Sequence, residues 1–290
     1  MELEEKRHMG IKRKNAISNT IIYIVLILMS IIWLIPFVFI LLESFRCEST
    51  WQVGYIIPKK WGLDNYINLI KNTNFLKWYA NTFIIASCAA VFQTIVVLSV
   101  SFTLSRIDFK GRKFLMNVCL ILGMFPGFLT LIVLYNVLSG LNLTGPHAVP
   151  GLIIIGLAGS GMGYYVSKGY FDTIPRSLDE AAKVDGATRF QIFYKVIMPL
   201  AKPIVIYTIL TAFMGPWGDF MFAKYIAHGY EDGMNVAVGL QNMIATSGSL
   251  AKNYTMFCAG GVLVAIPIAV LFMLLQKYYV EGVTGGAVKG

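Results

Sequence analysis

The stretch FLMNVCLILGMFPGFLTLIVLYNVLSGLNLTGPHAVPGLIIIGLAGSGMGYYVS, Phe114 to Ser167, runs for 54 residues without Asp, Glu, Lys or Arg. A helix needs roughly 20 apolar residues to cross a hydrocarbon core, so this stretch holds two crossings. The turn residues of GLNLTGPHAVPG, Gly140 to Gly151, split it into a third and a fourth span. Working outward, Tyr79 to Ser105 and Ile17 to Leu42 supply the second and first spans. About Pro203 to Ile226 and about Tyr254 to Tyr278 supply the fifth and sixth. Over all 290 residues, 57% are hydrophobic and 13% charged, against about a quarter charged in an ordinary soluble domain. A water-soluble globule is excluded, and the expected fold class is an all-α polytopic membrane protein with six transmembrane helices.

Six spans put both termini on one side, and the distribution of Lys and Arg identifies that side. The N-terminal segment, the loop after span two, the loop after span four and the tail together carry 17, against seven on the opposite side. Both termini are therefore expected in the cytoplasm, and the net charge of +9 reflects membrane orientation rather than nucleic-acid binding. The expected organisation is a cytoplasmic segment 1–16, a first transmembrane helix 17–42, an external loop 43–78, a five-helix core 79–278 and a cytoplasmic tail 279–290. Gly123 and Gly127 form a GxxxG spacing, and Gly156, Gly159, Ser160, Gly161 and Gly163 follow in span four; such residues allow close helix packing. No GxxxxGK[ST] phosphate loop occurs, and Cys47, Cys88, Cys119, Cys258 and three isolated histidines form no metal or catalytic set. No cofactor is expected in this chain.

Beyond the fourth span lies IPRSLDEAAKVDGATRFQIFYKVIMPLAKP, Ile174 to Pro203. Ser177 with Glu180 reads as a capping box, Gly186 as a left-handed helix end, and Thr188 with Gln191 as a second capping box. Pro199 is expected to stop the second helix. Val184, Phe190, Phe193, Val196 and Ile197 recur at near-helical spacing, so a helix, a sharp turn and a second helix must bury apolar faces against the chain's own helix ends or against a partner. An amphipathic hairpin resting on the membrane surface is the alternative.

The same residues carry a resemblance. Glu180-Ala181-Ala182, three residues, Gly186, nine residues, then Val196-x-Met198-Pro199 resembles the EAA signature of permease subunits in binding-protein-dependent ABC importers, with Val and Met in place of the usual Ile and Leu. GPWGDFMFAKYI (215–226), VAVGLQNMI (236–244) and the ending QKYYVEGVTGGAVKG (276–290) are similar to the smaller permease subunit of maltose and maltodextrin importers. The resemblance implies a type I ABC importer transmembrane domain. It implies a coupling loop 172–200 docked on an ATPase through Glu180, Ala181, Ala182, Gly186, Thr188, Phe190, Phe193 and Pro199. It also implies a tail contact to that ATPase through Thr284, Gly285, Gly286, Lys289 and Gly290. The implied partners are a second, homologous permease in a heterodimer, two ABC ATPases carrying ATP and Mg, an extracytoplasmic solute-binding protein, an oligosaccharide and membrane lipid, with no nucleic acid.

Two external segments are long enough to meet a partner. The first, Glu43 to Trp78, carries Trp51, Tyr55, Trp61 and Tyr66, as in an interfacial aromatic belt, and Asp64 as a cap for a short helix from Asn65 to Ile70. In the second, His228 to Asn253, the resemblance points to insertion into the binding protein's cleft by Asn242, Thr246, Ser247, Ser249, Asn253 and Tyr254. Asp219 is the one acid close to the core of a span; it lines a polar pathway or reaches interfacial water. A permease for a galacto-oligosaccharide or another glycan fits the residues as well. An ion-coupled transporter calls for more intramembrane charge and an internal repeat, and a membrane enzyme for a convergent set of acid, base or nucleophile groups.

Overall fold

A computed structural model of the chain describes residues 2–48, 55–124, 127–157 and 161–285. Among them the structure is helical, with one isolated antiparallel bridge between Arg46 and Trp61. The helices are α1 (Glu2–Ser44), α2 (Asp64–Asn72), α3 (Phe75–Arg106), α4 (Arg112–Met124), α5 (Gly127–Gly140), α6 (Ala148–Leu157), α7 (Gly161–Thr173), α8 (Ser177–Val184), α9 (Arg189–Leu200), α10 (Lys202–Gly218), α11 (Met221–Ala227), α12 (Val236–Met243) and α13 (Ser247–Gly285).

Ser18–Ser44, Phe75–Arg106 and Gly248–Lys277 are each long and apolar enough to cross a membrane unbroken. The pairs α4 with α5 and α9 with α10 are so only when each is counted as one bent span. The expected fourth span takes the form of two shorter helices, α6 and α7, on either side of residues 158–160, which include Gly159 and Ser160 and lie outside the described residues. Among the described residues, three of the expected spans are thus single unbroken helices and the others are built from broken ones. Gly and Pro cluster at the breaks, and interrupted helices persist in membranes where neighbouring segments satisfy the freed backbone groups.

The bundle core is α3, α6 with α7, α10 and α13. Tyr79 meets Trp217 edge-on at 5.1 Å between ring centroids, and Phe83 meets Phe213 at 6.2 Å, so α3 and α10 run side by side in opposite directions. α1 packs on α13 chiefly through its last turns, and Tyr23 to Phe37 stand exposed, as befits an apolar helix in lipid. Loops gather at two opposite ends. At one, the α3–α4 turn meets the 174–201 segment. At the other, Asn81 donates to the Asp232 and Met234 carbonyls at 2.9 and 2.8 Å, and Tyr230 packs on Gly145.

That second end is fixed by buried polar groups. Arg46, fully buried, pairs with Glu43 at 2.8 Å and donates to the Ile56 carbonyl at 2.7 Å. Asn65 donates to the Ser44 and Arg46 carbonyls, and its oxygen accepts from Thr255 Oγ1 at 2.9 Å, which ties α1, α2 and α13 together. Asp64 does not cap α2; it lies inside the first turn, after Leu63, and makes no side-chain cap bond. A negative charge in a first turn still favours the helix dipole. Of the expected aromatic belt, Trp61 is exposed, while Tyr66 donates to Ser44 Oγ at 2.8 Å; Trp51 lies outside the described residues.

VAVGLQNM forms a buried helix. Val236, Val238 and Leu240 are almost inaccessible, and a Cβ on Gly239 would sit 2.2 Å from the Trp78 indole. Asn235 caps α12 by accepting from Val238 N–H at 2.9 Å. Gly123, by contrast, has open space where a Cβ would go, so it meets no neighbour among the described residues. Gly156 faces Ala89 of α3 closely enough that a Cβ added to the glycine would lie 3.9 Å from the alanine methyl, an ordinary packing distance.

Candidate functional site

The 174–201 segment folds as a helix, a turn and a second helix, in the order the sequence indicates. The turn is at Gly186, with φ +80°. Asp185 N–H bonds to the Ala181 carbonyl at 3.1 Å and Ala187 N–H to the Ala182 carbonyl at 2.9 Å, which closes the end of α8 around a left-handed residue. α9 then opens on a true capping box: Thr188 N–H donates to Gln191 Oε1 at 2.7 Å, and Gln191 N–H donates back to Thr188 Oγ1 at 3.3 Å.

Two expectations are corrected. Ser177 is not an N-cap, because Arg176 is already helical and its carbonyl, with that of Pro175, takes the N–H groups of Leu178, Asp179 and Glu180. Pro199 does not stop α9. Residues Ile192–Ile197 form a wide π-turn that closes with Met198 N–H bonded to the Phe193 carbonyl five residues back, and the chain passes through Pro199 to bend at Ala201. There α9 and α10 meet at 86°.

The segment is bolted to the bundle by charges not singled out in the sequence. Arg106, at the end of α3, lies 3.3 Å from Asp179 on the first helix of the loop, and both side chains are about nine-tenths buried or more. Arg106 also donates to the Phe171 and Ile174 carbonyls at 3.0 and 2.8 Å, and Arg176 donates to the Ser105 carbonyl at 3.1 Å. Ser105 Oγ donates to Asp172 at 2.6 Å, and Lys168 also bonds Asp172. Burial works against the charge on Asp172, but the hydrogen bonds from Lys168 and Ser105, with the positive charges of Lys168 and Arg112, outweigh it and hold the carboxyl below its usual range.

With the platform fixed, the apolar residues divide. Ile192 and Ile197 are buried, and Phe193, half-buried, turns inward to pack on Phe102 with ring centroids 4.9 Å apart and planes tilted at 56°; it belongs chiefly to the platform. Val184 and Phe190 flank the Gly186 turn and remain 89% and 74% exposed. Glu180 and Ala181 are exposed beside them, Ala182 is half-buried, and Thr188 and Pro199 are exposed. Thr284 and Gly285 end α13, while Gly286, Lys289 and Gly290 lie outside the described residues.

At the opposite end, Asn242 and Thr246 are exposed and Ser249, Asn253 and Tyr254 half-buried. Thr246 and Ser249 exchange hydrogen bonds as a reciprocal cap at the start of α13, Ser249 N–H donating to Thr246 Oγ1 at 3.2 Å and Thr246 N–H to Ser249 Oγ at 3.0 Å. Ser247 lies between them in the first turn. Asn253 donates to the Met243 carbonyl at 2.9 Å, so it holds α12 to α13. The projecting part is therefore short, from Asn242 to about Ala251. Asp219 ends α10, and its Oδ1 accepts from Phe222 N–H at 3.1 Å, capping the next helix. It also borders a cavity of about 320 Å³ between α3, α6 and α10.

Comparison with known proteins matches residues 95–285 to the family described as "Binding-protein-dependent transport system inner membrane component". The chain is 36% identical over 268 residues to the maltodextrin transport system permease protein MdxG of Bacillus subtilis, covering 92% of this chain and 95% of that one. It is 34% identical over 281 residues to the maltodextrin transport system permease protein MalD of Streptococcus pneumoniae, covering 97% and 99%. It is 35% identical over 272 residues to the galactooligosaccharides transport system permease protein GanQ of B. subtilis, covering 92% and 94%. In fold it is similar to a chain of a bacterial ABC transporter that imports the acidic polysaccharide alginate, with TM-score 0.77, 23% identity and coverage of 92% and 98%.

Proposed function

Because the chain belongs to the family of inner membrane components of binding-protein-dependent transport systems, we propose that it is the permease subunit of an ATP-driven importer of uncharged oligosaccharides, maltodextrins first. It supplies half of a translocation pathway and pairs with a second, homologous permease. Two separate ATPase subunits bind ATP and Mg and hydrolyse the nucleotide, and an extracytoplasmic binding protein delivers the sugar to the Asn242–Ala251 projection. The chain itself performs no covalent step. Relatives named for maltodextrin and for galactooligosaccharides, at 34 to 36% identity, support the substrate class. The charge asymmetry supports cytoplasmic termini and a cytoplasmic 172–200 loop.

The observation that carries this reading is the coupling loop: two exposed apolar side chains, Val184 and Phe190, on either side of a turn clamped to the bundle by the Arg106–Asp179 pair. Exposed apolar groups on a rigid support suit a protein partner better than a lipid surface, which calls for a continuous apolar stripe. Closure of the ATPase pair on ATP moves two such loops together, and the bundle responds as a two-state switch. Burying a Phe side chain is worth about 1.5–3 kcal/mol, roughly a tenfold to hundredfold change in affinity. Phe190→Glu is accordingly expected to lower recruitment of the ATPase to membranes at least tenfold at unchanged expression. Full recruitment by that variant would remove the loop from the interface.

A further inference from the structure

The cavity beside Asp219 is a slot rather than a round pocket. Ile85, Ala89 and Gln93 line it at four-residue steps of α3, a distance of about 12 Å at 1.5 Å per residue. Thr211, Gly215 and Asp219 line it at the same steps along the antiparallel α10. With these two helices running in opposite directions, Gln93 lies at one end and Asp219 at the other. The walls between are mostly apolar, with Ile155 and Phe222 among the lining side chains and Thr211 and Asn235 as the polar exceptions. Its volume, about 320 Å³, falls in the range of small-molecule sites.

The polar ends retain capacity for a ligand. The Gln93 side chain is half-buried and has no hydrogen-bond partner among the described residues, which leaves its amide donors and acceptor for a ligand. It closes a π-turn, Ala89–Gln93, and single wide turns of this kind recur where a helix serves a functional site. Asp219 uses its carboxylate on the Phe222 and Ala223 N–H groups at the start of α11, and a carboxylate has capacity for more. Thr211 donates its hydroxyl to the Tyr207 and Thr208 carbonyls, which leaves its oxygen as an acceptor. No Lys or Arg lines the slot among the described residues.

Resting on the oligosaccharide-import reading above, we propose that this slot is a glycan subsite on this chain's own wall of the pathway. It takes uncharged sugar units end to end, with C–H faces against Ile155 and Phe222 and hydroxyls on Gln93 and Asp219. Asp219, with no cation beside it in the slot, is the group that refuses uronate-type sugars: a second carboxylate entering low-dielectric surroundings meets a like charge with nothing to offset it.

The test is saturation-transfer NMR on the assembled permease and ATPase complex in nanodiscs, with the binding protein left out so that the membrane subunits alone select the sugar. The probes are maltotetraose and its analogue carrying a terminal uronate. The wild-type complex is expected to give signal for maltotetraose and little for the uronate. Gln93→Leu should weaken the maltotetraose signal at least fivefold. Asp219→Asn, which keeps a capping side chain, should raise the uronate-to-neutral ratio at least tenfold. Signals in both variants that match the wild type, or a silent wild type, overturn the subsite. The same preparations, with binding protein added, are assayed for ATP-driven uptake. Uptake without a slot signal rejects the subsite alone, whereas absent uptake in the wild type rejects the import reading and the subsite with it.

Discussion

Replacing Gly186 by valine is expected to reduce sugar uptake at least tenfold while the protein still reaches the membrane in normal amount. A Cβ at this position meets nothing within 4 Å, so no side-chain clash is involved. The penalty comes from the backbone: φ is +80°, and a β-branched residue held there costs about 1–3 kcal/mol. The chain relieves that strain by rotating the turn, and the bond from Ala187 N–H to the Ala182 carbonyl, 2.9 Å long, is the first to open. Val184 and Phe190 then no longer share a fixed orientation. Gly186→Asn, which tolerates the left-handed region better, should retain intermediate uptake. Uptake measured with expression as the control separates lost coupling from lost folding, and normal uptake in the valine variant contradicts the role given to the turn.

Arg106→Met should have an effect of similar size by a different route. Asp179 would remain buried without its cation, and breaking a buried pair from one side costs about 3–5 kcal/mol. The Phe171 and Ile174 carbonyls lose their donor as well. The expected result is a loosened 174–201 segment in an otherwise intact bundle. Trypsin should cut at Lys183 and Arg189 in membranes at least fivefold faster than in the wild type. Pairing Arg106→Met with Asp179→Leu, which removes both charges, should recover much of the protection. Equal cleavage in the wild type and the single variant would mean that the pair does not clamp the loop.

The 174–201 segment was legible in the sequence where its signals are local. Gly186 and the Thr188–Gln191 box follow from side chains and backbone within a few residues, and both are present in the structure. The Ser177 box failed because Pro175 and Arg176 start the helix earlier and supply carbonyls that make a side-chain cap unnecessary. The Pro199 stop failed because Pro199 falls in the first positions of the short turn Met198–Leu200, just after the π-turn, where a proline is tolerated, and the chain bends only at Ala201. Arg106 with Asp179, and Asn65 with Thr255, join residues far apart in the chain, and such pairs leave no periodic trace. Length and apolarity located the long spans but not their bends, since the 86° turn at Ala201 depends on how α9 packs beneath α3. The resemblance pointed to Asn242 and the residues after it, and left open that VAVGLQNM, which begins before them, packs as a buried helix, with Val236, Val238 and Leu240 around Trp78 and α13.

The central claim is that this chain moves an uncharged oligosaccharide only when a separate ATPase acts on its coupling loop. The most direct measurement is uptake of radiolabelled maltotetraose by proteoliposomes holding this chain, its partner permease and the ATPase, with binding protein on the side of entry and ATP supplied to the ATPase. The account predicts uptake that requires both ATP and binding protein, ignores proton and sodium gradients, and disappears when the ATPase is omitted. Uptake that continues without ATP and follows an ion gradient would contradict it.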